Sequence, residues 1–107
     1  MSYIIPKNFK LAGIDFTVEI VKSIQNGAAY GEFNEALNRI QIAKSIKIED
    51  TWYNVKPINR YQTFLHELFH VFSYYWNTEI PEDLAQVFAN FMLEFKQTAN
   101  YVNTLSN

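Results

Sequence analysis

The chain has 107 residues, 49% of them hydrophobic and 17% aromatic, with a net charge of −2 and no cysteine. This composition belongs to a globular protein, and the length predicts a single domain, residues 1–107. The absence of cysteine excludes a disulfide framework, a thiolate zinc site and a cysteine nucleophile. The scattered lysines and arginines give no electrostatic case for nucleic acid.

In chain order, "MSYIIPKNFK" shows no charged leader followed by an apolar segment, so no signal peptide is expected. No apolar run approaches the roughly 20 residues that span a bilayer. The expectation is a cytoplasmic protein without membrane association. In "IDFTVEIV", Ile14, Phe16, Val18 and Ile20 alternate with polar residues, the period of a half-buried strand. Phe9 and Leu11 alternate in the same way, and Gly13 suits a hairpin turn between the two. "AAYGEF" predicts another short strand, and "NRIQIA" a stronger one with Ile40 and Ile42 on one face. Asn34 to Asn38 form the expected turn between them. Residues 44–56 show no clear period and read as an irregular crossing.

The second half predicts two helices. Pro57 suits a first turn. Phe64, Leu68, Val71, Phe72 and Tyr75 then recur at helical spacing to about Trp76. "NTEIP" breaks the pattern, and Pro81 suits the first turn of a second helix. Leu84, Ala85, Phe88, Ala89, Met92 and Phe95 form its apolar side. The terminal "NTLSN" is expected to fray. The predicted fold class is α+β: a small, mainly antiparallel sheet of three to four strands, followed by two packed helices.

The stretch "TFLHELFHVF", residues 63 to 72, carries the chemistry. Residues at i and i+4 stack on one side of a helix, so His66 and His70 can aim two imidazoles at one ion. Zinc accepts such ligands at about 2.0–2.1 Å, and a catalytic zinc takes three protein ligands plus water. Glu67 lies beside that face, where it can accept a proton from metal-bound water. The alternative is that both histidines merely pack in an aromatic core. By ordinary residue frequencies the pattern arises by chance in well under ~1% of chains this long.

No third histidine exists. A metzincin would need glycine at position 73 and histidine at position 76, where this chain has Ser73 and Trp76. The third ligand is therefore expected from a carboxylate, with Glu79, Glu82, Asp83 and Glu94 as candidates. Glu82 shares a helical face with Ala85 and Ala89, whose small side chains allow close approach of the first helix. Asp83 turns away by about 100°. Phase therefore favours Glu82. An acid in a first helical turn is also favoured by the helix dipole without any metal. If the first helix runs to Trp76, it ends about 9 Å past His70, and Glu82 must reach back.

At these residues the sequence resembles the gluzincin class of zinc metallopeptidases. More closely it is similar to the very small phage-type and bacterial HExxH proteins called minigluzincins. "IPKNFKLAGIDFTVEIV", "TFLHELFHVF" and "EDLAQVFANFMLEF" carry the likeness, which covers most of the chain. The family pattern Glu-x-x-small-x-x-Phe-Ala-Asn falls on Glu82, Ala85, Phe88, Ala89 and Asn90. It departs at Gln86, where many gluzincins have an aspartate bonded to a metal-bound histidine, and in the short connection from His70 to Glu82.

The resemblance implies a Zn2+-dependent peptide hydrolase acting on a peptide or protein. Its metal ligands would be His66, His70 and Glu82, with Glu67 as the base that activates water. Tyr30, Tyr61, Tyr74 and Tyr101 are candidate donors to the oxyanion. The alternatives are a zinc-binding protein without turnover, and a metal-free interaction module with an aromatic-rich core. "FSYYW", residues 72 to 76, is expected to serve as core and flank rather than as a cofactor box.

Overall fold

The computed structural model describes residues 3–11, 13–75 and 82–98. Strands β1 (Asn8–Leu11) and β2 (Ile14–Val21) pair antiparallel, with Gly13 in the left-handed region at φ 79° in their connection. That conformation is cheap for glycine because no Cβ meets the backbone. β3 (Gly31–Asn34) and β4 (Arg39–Ala43) form a second hairpin. Its turn is closed by the Asn34 side chain, whose Oδ1 accepts the Leu37 N–H at 3.2 Å. β4 pairs with β2 in parallel, so the four strands lie in the order β1-β2-β4-β3, with one parallel pair in an otherwise antiparallel sheet. β3 covers only the second half of the predicted "AAYGEF" strand. Before it the chain makes a 3-10 turn over Gln25–Gly27, where Gln25, Asn26 and Gly27 all have positive φ.

Residues 44–56 correct the expected irregular crossing. They contain β5 (Ser45–Ile48) and β6 (Thr51–Asn54), an antiparallel pair that forms a separate small sheet. The two-residue turn has Glu49 and Asp50 at φ 49° and 64°, the requirement of a type I′ hairpin. It is met here without the usual Asn or Gly. All four β6 residues are exposed, so no alternation marks the strand.

Helix α1 (Pro57–Tyr75) starts at the proline, whose missing N–H costs nothing in a first turn. Trp76, Pro81 and the terminal "NTLSN" lie outside the described residues. Helix α2 (Glu82–Thr98) opens with two acids, Glu82 and Asp83. Gln62 bonds to Asn90, His66 to Gln86, and His70 to Glu82, a register that makes the two helices antiparallel. Ala85 and Ala89 are fully buried in this seam. The sheet supplies Phe16, Val18, Ile40 and Ile42 to the core, α1 supplies Phe64, Leu65 and Val71, and α2 supplies Ala89. Tyr75 packs edge-on to Phe16, and its hydroxyl donates to Asn38 Oδ1, tying the end of α1 to the β3–β4 turn. Of the described residues in "FSYYW", Tyr75 packs against the core while Phe72 and Tyr74 are about half exposed; Trp76 lies outside the described residues. No helix among the described residues is long and apolar enough to cross a membrane.

Candidate metal centre

α1 buries Phe64, Leu65 and Val71 and turns His66 and His70 toward α2. The two imidazoles lie one turn apart and converge, with 3.1 Å between their Nε2 atoms. Glu82 closes the triangle from the first turn of α2. Its Oε1 lies 2.6 Å from His66 Nε2 and its Oε2 lies 3.0 Å from His70 Nε2. The earlier geometric difficulty is met without shortening α1. That helix continues five residues past His70, and α2 returns antiparallel beside it. Donor atoms of His66, His70 and Glu82 all lie within 4.8 Å of one another, the one such grouping among the described residues. Of the other carboxylate candidates, Glu79 lies outside the described residues, Asp83 accepts the Leu84 N–H at 3.0 Å, and Glu94 lies outside the cluster.

A second layer fixes the first. His66 Nδ1 sits 2.9 Å from Gln86 Oε1. The Gln86 amide nitrogen donates to Asn90 Oδ1 at 3.2 Å, and Gln62 donates to the same oxygen. With its N–H₂ used on Asn90, Gln86 presents its carbonyl to His66, so Nδ1 carries the proton. The tautomer then follows: His66 Nε2 points a lone pair at Glu82. A bare nitrogen and a carboxylate oxygen at 2.6 Å repel unless a cation or a proton lies between them. Tetrahedral zinc with bonds of about 2.0–2.1 Å sets its ligands about 3.3 Å apart. Opening the three contacts by well under an ångström reaches that spacing. The nitrogen, nitrogen and oxygen donors are also the types zinc accepts. The residues therefore fit the ion.

Glu67 lies beside this cluster. It is only 8% exposed and has no hydrogen-bond partner among the described residues. Burial raises its pKa from 4.5 to about 7; the nearby His66 ring opposes the rise, while Glu82 and Glu32 add to it. Gly31 explains how β3 comes so near. A Cβ there would sit 2.5 Å from the Thr63 methyl and 3.2 Å from Glu67 Cγ, so any larger residue would push the edge strand off α1.

Two hollows open on the centre. One is lined by Tyr30, Asn59, Gln62, Thr63, His66 and Gln86, and the other by Glu32, Phe33, Glu35, His70, Ser73 and Tyr74. Gly31, Glu67 and Glu82 border both. Among the four tyrosines considered from sequence, Tyr30 and Tyr74 thus reach the site. Tyr61 packs against Tyr3 and Phe64, and Tyr101 lies outside the described residues. Sequence reasoning missed Gln62, Asn90 as a bonding partner, and the close approach of Gly31. An isolated glycine inside a strand pattern was the one available signal for the last.

No protein-family model matches the chain, and no curated protein or solved structure matches it.

Proposed function

We propose that the chain is a zinc-dependent metallopeptidase of the minigluzincin kind, with His66, His70 and Glu82 as zinc ligands and Glu67 as general base. The observation that supports it most is the triangle of lone-pair donors at 2.6–3.1 Å with the largely buried Glu67 beside it. Zinc bound there would supply Lewis acidity, lowering the pKa of water and polarising a carbonyl. Glu67 takes the proton of the attacking water and delivers it to the leaving amine. Its place beside the cluster, facing both hollows, suits both transfers, because the base must lie within reach of the water that it deprotonates. Gln86, held by Asn90, keeps His66 in the tautomer that ligates.

Metal content per chain, measured by mass spectrometry on protein purified without chelator or histidine tag, tests the ligand set. Wild type should carry close to one zinc, and Glu82→Ala should lose most of it. A wild-type chain that takes up no zinc when zinc is offered rules the reading out. Glu67→Gln then separates peptidase from inert zinc protein. It should keep the zinc and lose hydrolysis by about 10²–10⁴-fold, the usual worth of a general base.

A further inference from the structure

The two hollows beside the centre differ in charge. The hollow on the His66 side is lined, apart from the shared residues and His66 itself, by neutral groups: Tyr30, Asn59, Gln62, Thr63 and Gln86. The hollow on the His70 side adds two carboxylates, Glu32 on β3 and Glu35 just beyond it. No lysine or arginine among the described residues lines either hollow. Nor do the described ion pairs, Lys10–Asp15, Arg39–Glu19 and Lys47–Asp50, involve Glu32 or Glu35. Glu32 accepts one long hydrogen bond, 3.4 Å from the neutral Gln25 amide. Two aromatic rings, Phe33 and Tyr74, meet edge to face at 6.1 Å in the same hollow. The largely buried Glu67, with no hydrogen-bond partner among the described residues, lines it together with His70 and Glu82, which makes it part of the same site rather than a separate surface dent.

We infer, on the basis of the peptidase reading, that the hollow on the His70 side selects a lysine or arginine side chain of the substrate. Its alkyl stem lies along Phe33 and Tyr74, and its cation faces Glu32 and Glu35. Long basic side chains bury their stems on apolar surface and keep the charged head at the polar edge. A cation close to an aromatic ring face gains further attraction. An unpaired carboxylate at the rim supplies a charge-assisted partner, and an acidic substrate residue there meets repulsion. The neutral hollow opposite makes no such choice, so the preference applies on one side of the cleaved bond only.

The test measures binding without turnover. Zinc-loaded Glu67→Gln chain is titrated by calorimetry, at low ionic strength, with three blocked pentapeptides that differ only in a central lysine, leucine or glutamate. The lysine peptide should bind about tenfold tighter than the leucine peptide, a difference on the scale of one charge-assisted hydrogen bond, and the glutamate peptide weakest. Glu32→Gln with Glu35→Gln in the same background keeps side-chain volume and should level the three. Equal affinities, no binding of any peptide, or a lysine preference that survives the double substitution would each overturn the inference. The peptidase reading fails by a different result: a zinc-loaded chain with Glu67 intact that cleaves none of a mixed peptide pool.

Discussion

Helix α1 has two faces that obey different rules. Toward the sheet it presents Phe64, Leu65 and Val71, all buried, packed on Phe16, Ile40 and Ile42. Toward α2 it presents Gln62, His66 and His70, each matched to a polar partner on the other helix. The first face is non-directional: apolar area leaves water, and any close fit serves. The second is directional: a tautomer, an amide orientation and a carboxylate position must all agree. What the contrast teaches is division of labour along one element. The apolar face holds the helix in place, so the polar face can hold like-natured donor atoms near one another.

Cutting into the apolar face should separate the two roles most forcefully. Phe16 is 1% exposed and touches Phe9, Phe33 and Tyr75 through ring contacts. Phe16→Ala should cost about 3–5 kcal/mol of stability, a large part of the roughly 5–15 kcal/mol a domain possesses. Urea unfolding gives this number. On the proposed zinc site, zinc affinity, measured by chelator competition well below the transition, should change less than about twofold, because the rings that Phe16 meets are Phe9, Phe33 and Tyr75 and none of the proposed ligands. An affinity that falls in step with stability would show that the two faces are one unit.

The next effect is electrostatic and belongs to Glu67, which lies between the two faces and against Gly31 of β3. Glu67 stays protonated in the folded, metal-free chain up to about pH 7, while the unfolded chain releases that proton near 4.5. Between those values the folded state holds more protons than the unfolded state, so stability falls as pH rises. Below pH 4.5 the group is neutral in both states and the penalty vanishes. The gap, at about 1.4 kcal/mol per pH unit, amounts to roughly 3 kcal/mol lost by pH 7 and above. Glu67→Gln cannot titrate. The stability difference between it and wild type, followed by urea unfolding of metal-free protein, should therefore grow from pH 4.5 to 7 in favour of glutamine. A difference that stays flat across that window would mean that Glu67 reaches water in the folded state.

The apolar face was the more legible in sequence, for a physical reason. Periodicity reports which residues leave water, and Phe16, Val18, Ile40, Ile42, Phe64 and Val71 all lie where alternation or helical spacing puts them. His66 and His70 were legible as a pair because i and i+4 spacing on a helix is itself geometry. Glu82 followed from its phase with Ala85 and Ala89, and both alanines are indeed fully buried between the helices. What escaped was directional or tertiary. Glu49 adopts left-handed backbone that its residue type does not advertise, and no Asn or Gly accompanies Asp50 in the turn, which hid the β5–β6 hairpin. The parallel pairing of β2 with β4 is set by which edges meet, not by either strand's own pattern. Gln62 and Asn90 are 28 residues apart, and no local period connects them.

The amide relay gives the smallest and most specific test of the polar face. Gln86 supplies His66 with an acceptor but no charge. Removing the acceptor in Gln86→Ala frees the imidazole to take either tautomer, and only one aims Nε2 at the cluster. Loss of such a partner should lower zinc affinity about 10–100-fold, read by chelator competition. The apolar face is untouched, since Gln86 is exposed, so unfolding of the metal-free chain should shift by less than about 0.5 kcal/mol. Gln86→Glu should move affinity the other way, because a carboxylate accepts the same N–H and raises the basicity of the ligand. If alanine and glutamate at position 86 leave affinity equal, His66 does not need its tautomer fixed, and Nε2 is aimed by the packing of α1 alone. The two faces would then not be independent: the directional one would be a by-product of the non-directional one.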